Sequence, residues 1–153
     1  MENAALFVHL LGAFLFVGGV LVAGVGFETA RRRTEPAEIA ILLGLTRWGV
    51  LLVVVGGVVL LAGGLWLAGV VHAYGEPWLD AAIALFVVTV ALGGAGGQRP
   101  KRARLLATKL AAEGGDTDEL HRLLDEPAGR AVNYLSGLLV VVILVLMVWR
   151  PGG

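Results

Sequence analysis

Four long, almost uninterrupted apolar runs constrain this chain more than any other feature. They extend approximately over Ala4 to Phe27, Trp48 to Val71, Leu79 to Gly97 and Ala131 to Trp149. Each is close to or beyond the ~20 residues an α-helix needs to cross a hydrocarbon core of roughly 30 Å. The strands of a membrane barrel alternate apolar and polar residues, and these runs do not. In lipid every backbone N–H and C=O has to be satisfied within its own segment, which leaves helices as the solution. The expected fold is therefore all-α, a polytopic four-transmembrane-helix bundle forming a single domain over 1–153. Its connections are 28–47, 72–78 and 98–130. The first run begins Met1-Glu2-Asn3 without positive charge and is longer than the 7–15 apolar residues of a secretion signal core, so it reads as a permanent span.

The basic residues set the expected orientation. Arg31, Arg32, Arg33 and Arg47 belong to the first connection, and Arg99, Lys101, Arg102, Arg104, Lys109, Arg122 and Arg130 to the third. The middle connection has no Lys or Arg, and only Arg150 follows the last span. Lys and Arg accumulate on the cytoplasmic side of a membrane, which predicts both termini outside and the two long connections inside. Trp66, Tyr74, Trp78 and Trp149 then fall at the outer interface, and Trp48 and Tyr134 at the inner one, as belts of interfacial rings.

The inner connections carry helix signals of their own. Thr34-Glu35-Pro36 predicts a short helix with Thr34 as N-cap and Pro36 in its first turn, with Ile39, Leu42 and Leu43 as the apolar face. Leu105, Leu106 and Leu110 mark one side of an extension of the third span, which Gly114-Gly115 breaks. Asp116 and Thr117 can cap a second short helix, Asp118 to Leu124, that ends before Pro127. The result is a small amphipathic helical hairpin on the cytoplasmic face, suited to anchoring on anionic headgroups or to docking a membrane-protein partner.

Glycine is unusually frequent, 23 of 153 residues, and much of it lies within the spans. Lipid tails are as apolar as the helices, so helices associate through small residues that permit close backbone approach. Gly12 and Gly19 share one face of the first span with His9, Ala13, Phe16, Val20 and Ala23, while Gly49, Gly56 and Gly63 recur every seven residues in the second. These stripes predict tight helix packing, either within one bundle or between the two copies of a homodimer.

Few residues could carry chemistry. The chain has no cysteine, and Lys+Arg and Asp+Glu both number 12. Thiolate sites are thereby excluded, and nothing resembles a basic groove for nucleic acid. There is no phosphate loop, nucleophile elbow, HExxH motif or pair of intramembrane carboxylates, so hydrolytic activity is not expected. An ionisable group inside a span is costly, and His9 is the one well-placed example. Its imidazole can hydrogen-bond to a neighbouring helix, or ligate haem iron or copper. His72 is the only other histidine on the outer side. At 1.5 Å per residue the two lie at depths about 7 Å apart, awkward for paired axial ligands on straight helices. Tyr74, Glu76 and Asp80 of the outer loop could supplement such a site. His121 sits among Asp118, Glu119 and Arg122 on a solvated helical face, and Glu28 is spaced to pair with Arg32.

The string His9-Leu10-Leu11-Gly12-Ala13-Phe14-Leu15-Phe16-Val17-Gly18-Gly19, with Arg31-Arg32-Arg33-Thr34-Glu35-Pro36-Ala37, Leu45-Thr46-Arg47 and Leu146-Met147-Val148-Trp149-Arg150-Pro151, resembles a bacterial family of four-helix predicted integral membrane proteins of unknown function. That resemblance implies a bacterial inner membrane. At His9 alone, the first span is more distantly similar to CopD-type copper resistance proteins and to HemJ-type protoporphyrinogen oxidases. The spans contain no lysine, unlike the second of these, so what the likeness implies is haem or copper binding rather than porphyrin oxidation. Three function classes follow: a non-enzymatic haem b or copper protein with His9, and secondarily His72, near the outer leaflet; an oligomeric small-solute or ion permeation subunit; and a structural or assembly partner of another membrane complex.

Overall fold

The computed structural model describes residues 1–96 and 98–150 of the 153, without the side chains of 95–99 and 128–130. Gly97, expected to end the third span, and Pro151 lie outside the described residues, as do the side chains of Arg99 and Arg130. The described residues form six helices: α1 (Glu2–Arg31), α2 (Pro36–Val70), α3 (Pro77–Gly96), α4 (Gln98–Glu113), α5 (Asp118–Asp125) and α6 (Pro127–Trp149). Four of them, α1, α2, α3 and α6, are long and apolar enough to cross a membrane. They are joined so that the arginine-bearing connections gather at one end of the bundle and the 72–78 turn lies at the other.

The membrane layer is built from two antiparallel pairs. α1 and α2 pack most intimately, along the glycine stripes. A Cβ at Gly49 would stand 2.6 Å from the backbone N of Ala23, one at Gly19 2.6 Å from the N of Val53, and one at Gly63 2.7 Å from the N of His9. Gly12 against Leu60 and Gly56 against Phe16 are closer still. The two backbones therefore run against each other with no side chain between them, which only glycine allows. The stripes are thus used within the chain. α3 pairs with α6, and the ring of Phe16 on α1 meets Phe86 on α3 at 5.5 Å between centroids, tilted by 46°.

Two expectations about the connections change. The Pro36 segment is not a short separate helix: Glu35 is the N-cap, without a side-chain cap bond, and the helix continues to Val70. Between Pro36 and Trp48 there is no further Pro and a single Gly, Gly44, whose cost of about 1 kcal/mol does not stop a helix once it has nucleated. At 35 residues α2 is about 52 Å long, some 20 Å more than the hydrocarbon core. Its first turns project beyond the bilayer at the arginine-rich end.

The hairpin of α4 and α5 closes on that projection. Ala30, Ile39, Leu43, Ala103, Ala107, Leu120 and Leu124 form one buried cluster, with Leu106 and Leu110 packed at its edge. The apolar face of α4 is Ala103, Leu106, Ala107 and Leu110, at i, i+3, i+4 and i+7, while Leu105 points outward and is 54% exposed. The amphipathic faces are therefore covered by the chain's own α1 and α2, rather than by headgroups. As expected, Gly114 and Gly115 make the break, with φ of 72° and 131°. α5 begins after Thr117, and Asp116 Oδ1 accepts the backbone N–H of Asp118 at 2.9 Å. Glu28 Oε1 accepts from both Arg31 and Arg32 at 3.0 Å.

Candidate functional site

At the end opposite the arginine-rich connections, the two helix pairs line an apolar cavity of about 310 Å3. Its floor is the Phe16 and Phe86 pair, resting over Gly57, whose Cβ would meet both rings at 3.5 Å. Its roof is the buried cluster of Ala68, Ala73, Trp78 and Leu79, with Ile83 and Met147 packed against it. Small-molecule sites in proteins are concave, mostly apolar spaces of roughly 300–1,000 Å3 with a few placed polar groups. Here those groups are His9 on α1, Met147 near the end of α6, and Arg150 just beyond it.

His9 is held in one orientation. Its backbone lies against Gly63, and its ring lies beside Gly64, where a Cβ would come within 2.9 Å of Nδ1. Nδ1 is 3.1 Å from the carbonyl oxygen of Leu60. A carbonyl oxygen can only accept, so Nδ1 carries the hydrogen and donates it, and in the neutral ring Nε2 keeps its lone pair. Leu60 O is an i→i−4 acceptor within α2, and its second lone pair is what takes the imidazole. The result is a half-buried histidine on the cavity wall whose tautomer is set by a bond from its other nitrogen, the same arrangement that orients metal-ligating imidazoles.

His72 plays a different part. It is exposed, at φ 55°, immediately after the Val71 C-cap of α2, and is not among the cavity-lining residues. Ala73 N–H bonds to Ala68 O at 2.9 Å, and the two alanines touch in the roof cluster. This is a Schellman-type helix end, in which the left-handed position usually falls to glycine. Tyr74 folds back over Gly69 and donates its hydroxyl to Leu65 O at 2.6 Å. Glu76 and Asp80 are likewise absent from the cavity wall. The sequence-predicted residues His9 and His72 thus occupy different surroundings, and among the described residues no group of three or more His, Cys, Asp or Glu side chains could hold a metal ion.

Three residues of the site were not expected to belong to it. Trp78, expected in the outer belt, is 8% exposed and forms part of the roof. Trp48, Trp66, Tyr74, Tyr134 and Trp149 are exposed, as belt residues are. Arg150 ends α6 in a left-handed conformation, φ 41° and ψ 59°, and its guanidinium lies 5.4 Å from the Trp78 ring centre. Met147 precedes it by three residues and so lies on the same helical face, a spacing readable in the sequence once the cavity is known.

With the four spanning helices and their geometry in view, comparison with known proteins is decisive on one point. The family described as "Predicted integral membrane protein (DUF2269)" matches residues 4–151. The chain belongs to this family. It is an integral, multi-pass membrane protein, in agreement with the four apolar helices. No curated protein and no solved structure matches it.

Proposed function

We propose that the protein is a non-enzymatic, membrane-embedded haem-binding protein of the bacterial inner membrane, with the cavity near the outer leaflet as its site and His9 Nε2 as the ligating atom. The observation that carries this reading is the His9 tautomer: the Nδ1–H bond to Leu60 O leaves the ligating lone pair to Nε2, on a residue that lines an apolar cavity. The donor set favours haem over copper. A copper ion would have only one imidazole and one thioether from this cavity, whereas a haem would bring most of its iron's ligands itself and ask this chain for the remainder, for which His and Met are both suited. Met147 on α6 would be the second residue to hold it, and the Arg150 guanidinium, which also lines the cavity, suits a carboxylate. Haem in such a site would supply one-electron transfer. His72, exposed in the turn, is assigned no part in holding it.

The orientation in this reading places the arginine-rich end in the cytoplasm and both termini outside. It is supported by Arg31, Arg32, Arg33, Arg47, Lys101, Arg102, Arg104 and Lys109 all falling at one end of the bundle. The test is an absorption spectrum and metal analysis of protein purified in mild detergent from cells supplied with haem and copper. The expected result is a Soret band at one haem per chain that is lost in His9→Ala and retained in His72→Gly. Wild-type protein that is colourless and metal-free, or a Soret band unchanged by His9→Ala, would overturn it.

A further inference from the structure

A second groove, of about 750 Å3, lies at the arginine-rich end between α1 and the start of α6. We propose that it binds one anionic phospholipid of the leaflet facing that end, with the phosphate at Arg32 and Arg33 and an acyl chain along α1. This site is separate from the cavity that contains His9.

The groove is lined by the face of α1 opposite its seam with α2. Leu21, Gly24 and Val25 form its apolar part, and Arg32, Arg33 and Tyr134 its polar rim. From Arg32 down to Leu21 is eleven residues, about 17 Å along a helix axis, against roughly 15 Å for half of the hydrocarbon core. The apolar part therefore matches one leaflet in depth, and the arginines fall at the level of its phosphates. Tyr134, 73% exposed, sits on the opposite wall, where its ring and hydroxyl suit the ester and headgroup region.

Gly24 supplies an independent reason. Gly12 and Gly19, which face α2, have its backbone pressed against them, but a Cβ on Gly24 would meet nothing within 4 Å. Helix packing within the chain does not require glycine there. Its effect is to deepen the groove where an acyl chain would lie.

The charges are available for a phosphate. Arg32 bonds through Nε and Nη2 to the single oxygen Oε1 of Glu28, and Arg33 reaches Glu38 only at 3.6 Å. Both arginine side chains are largely exposed, 74% and 53%. A guanidinium has five N–H donors, so each keeps donors free for a bidentate phosphate contact. Among the described residues Glu28 is the only acid on the groove wall, against Arg32 and Arg33, so the rim carries a net positive charge. That favours a headgroup with no ammonium of its own, and basic pockets between spanning helices are a recurring form of anionic-lipid site.

The test is native mass spectrometry of the full chain in detergent, titrated with phosphatidylglycerol or with phosphatidylcholine of the same acyl chains. One phosphatidylglycerol per chain is expected to bind about tenfold more tightly than phosphatidylcholine. Gly24→Leu, which fills the groove, is expected to weaken that binding about tenfold with the far-UV spectrum and melting unchanged; Leu21→Trp fills it from a neighbouring position should the first variant fail to fold. The double variant Arg32→Gln, Arg33→Gln is expected to remove the discrimination between the two lipids. Inorganic phosphate at matched ionic strength is expected to displace nothing. Equal binding of both lipids, binding insensitive to the groove-filling variants, or displacement by inorganic phosphate would each overturn the proposal.

Discussion

Replacing Gly49 by alanine tests whether the α1 and α2 pair is held by backbone approach. The added methyl would stand 2.6 Å from the backbone N of Ala23 and 2.9 Å from the carbonyl oxygen of Gly19. That is about 1 Å inside the ~3.5–4.0 Å optimum for nonbonded heavy atoms. Neither neighbour is a side chain able to swing away, so the helices themselves have to separate. Overpacking of this kind costs roughly 1–3 kcal/mol, and a gap of 0.5–1 Å forfeits a quarter to a half of the dispersion energy of the contacts that are pulled apart. The better helix propensity of alanine returns about 1 kcal/mol, leaving a net loss of about 1–2 kcal/mol. Gly18 is the internal control, since a Cβ there meets nothing within 4 Å, so Gly18→Ala is expected to be neutral or to stabilise by up to about 1 kcal/mol. The assay is equilibrium unfolding in mixed micelles of mild detergent and dodecyl sulfate, followed by far-UV circular dichroism. A gap of about 2 kcal/mol between the variants is a factor of roughly 30 in the unfolding constant. Equal stability of the two would refute the reasoning, because the seam would then not be limited by the glycine backbone.

Further predictions concern the turn, the arginine-rich end and the sidedness. His72→Gly relieves an L-residue held at φ 55° and is expected to stabilise the protein by about 1 kcal/mol in the same assay; destabilisation would mean that the imidazole has a role beyond the helix end. Leu120→Ala removes a fully buried side chain from the cluster that fixes α5 and is expected to cost about 2–5 kcal/mol. Its readout is faster proteolysis in the 114–126 region, and unchanged protection there would count against the packing described. Since the sequence has no cysteine, Glu76→Cys and Asp116→Cys each introduce a unique thiol. A membrane-impermeant maleimide added to intact cells is expected to label the first and to reach the second only after permeabilisation, and the reverse pattern would invert the proposed orientation.

The secondary structure was largely legible in the sequence, because the properties that specify it are local. Four apolar runs, each long enough to span, dictate four helices whatever they pack against, and the glycine pair 114–115 stops α4 through its own backbone freedom. The seven-residue recurrence of Gly49, Gly56 and Gly63 also announced a packing seam, though not its partner, since a stripe of small residues suits any helix that brings a similar stripe to it. Only the tertiary structure supplied that partner, the glycine and His9 face of α1. It likewise decided that the amphipathic faces of α4 and α5 are spent on the chain's own projecting helices, because the overhang that receives them exists only once α2 runs unbroken from Pro36.

The candidate site divides along the same line. His9 stood out in sequence because an ionisable residue in an apolar span is rare and costly. The pairing with His72 did not follow from proximity to a common membrane face, since a helix end imposes its own backbone geometry and turns that residue outward. Met147, Trp78 and Arg150 come from helices distant in sequence, and no spacing rule connects them to His9. The sequence by itself determined a four-span helical membrane protein with a charged end and a glycine seam, because length, hydropathy and backbone freedom act residue by residue. The cavity, its floor and roof, and the Leu60 carbonyl that holds the His9 ring were decided by how the four spanning helices pack, which is a property of no single segment.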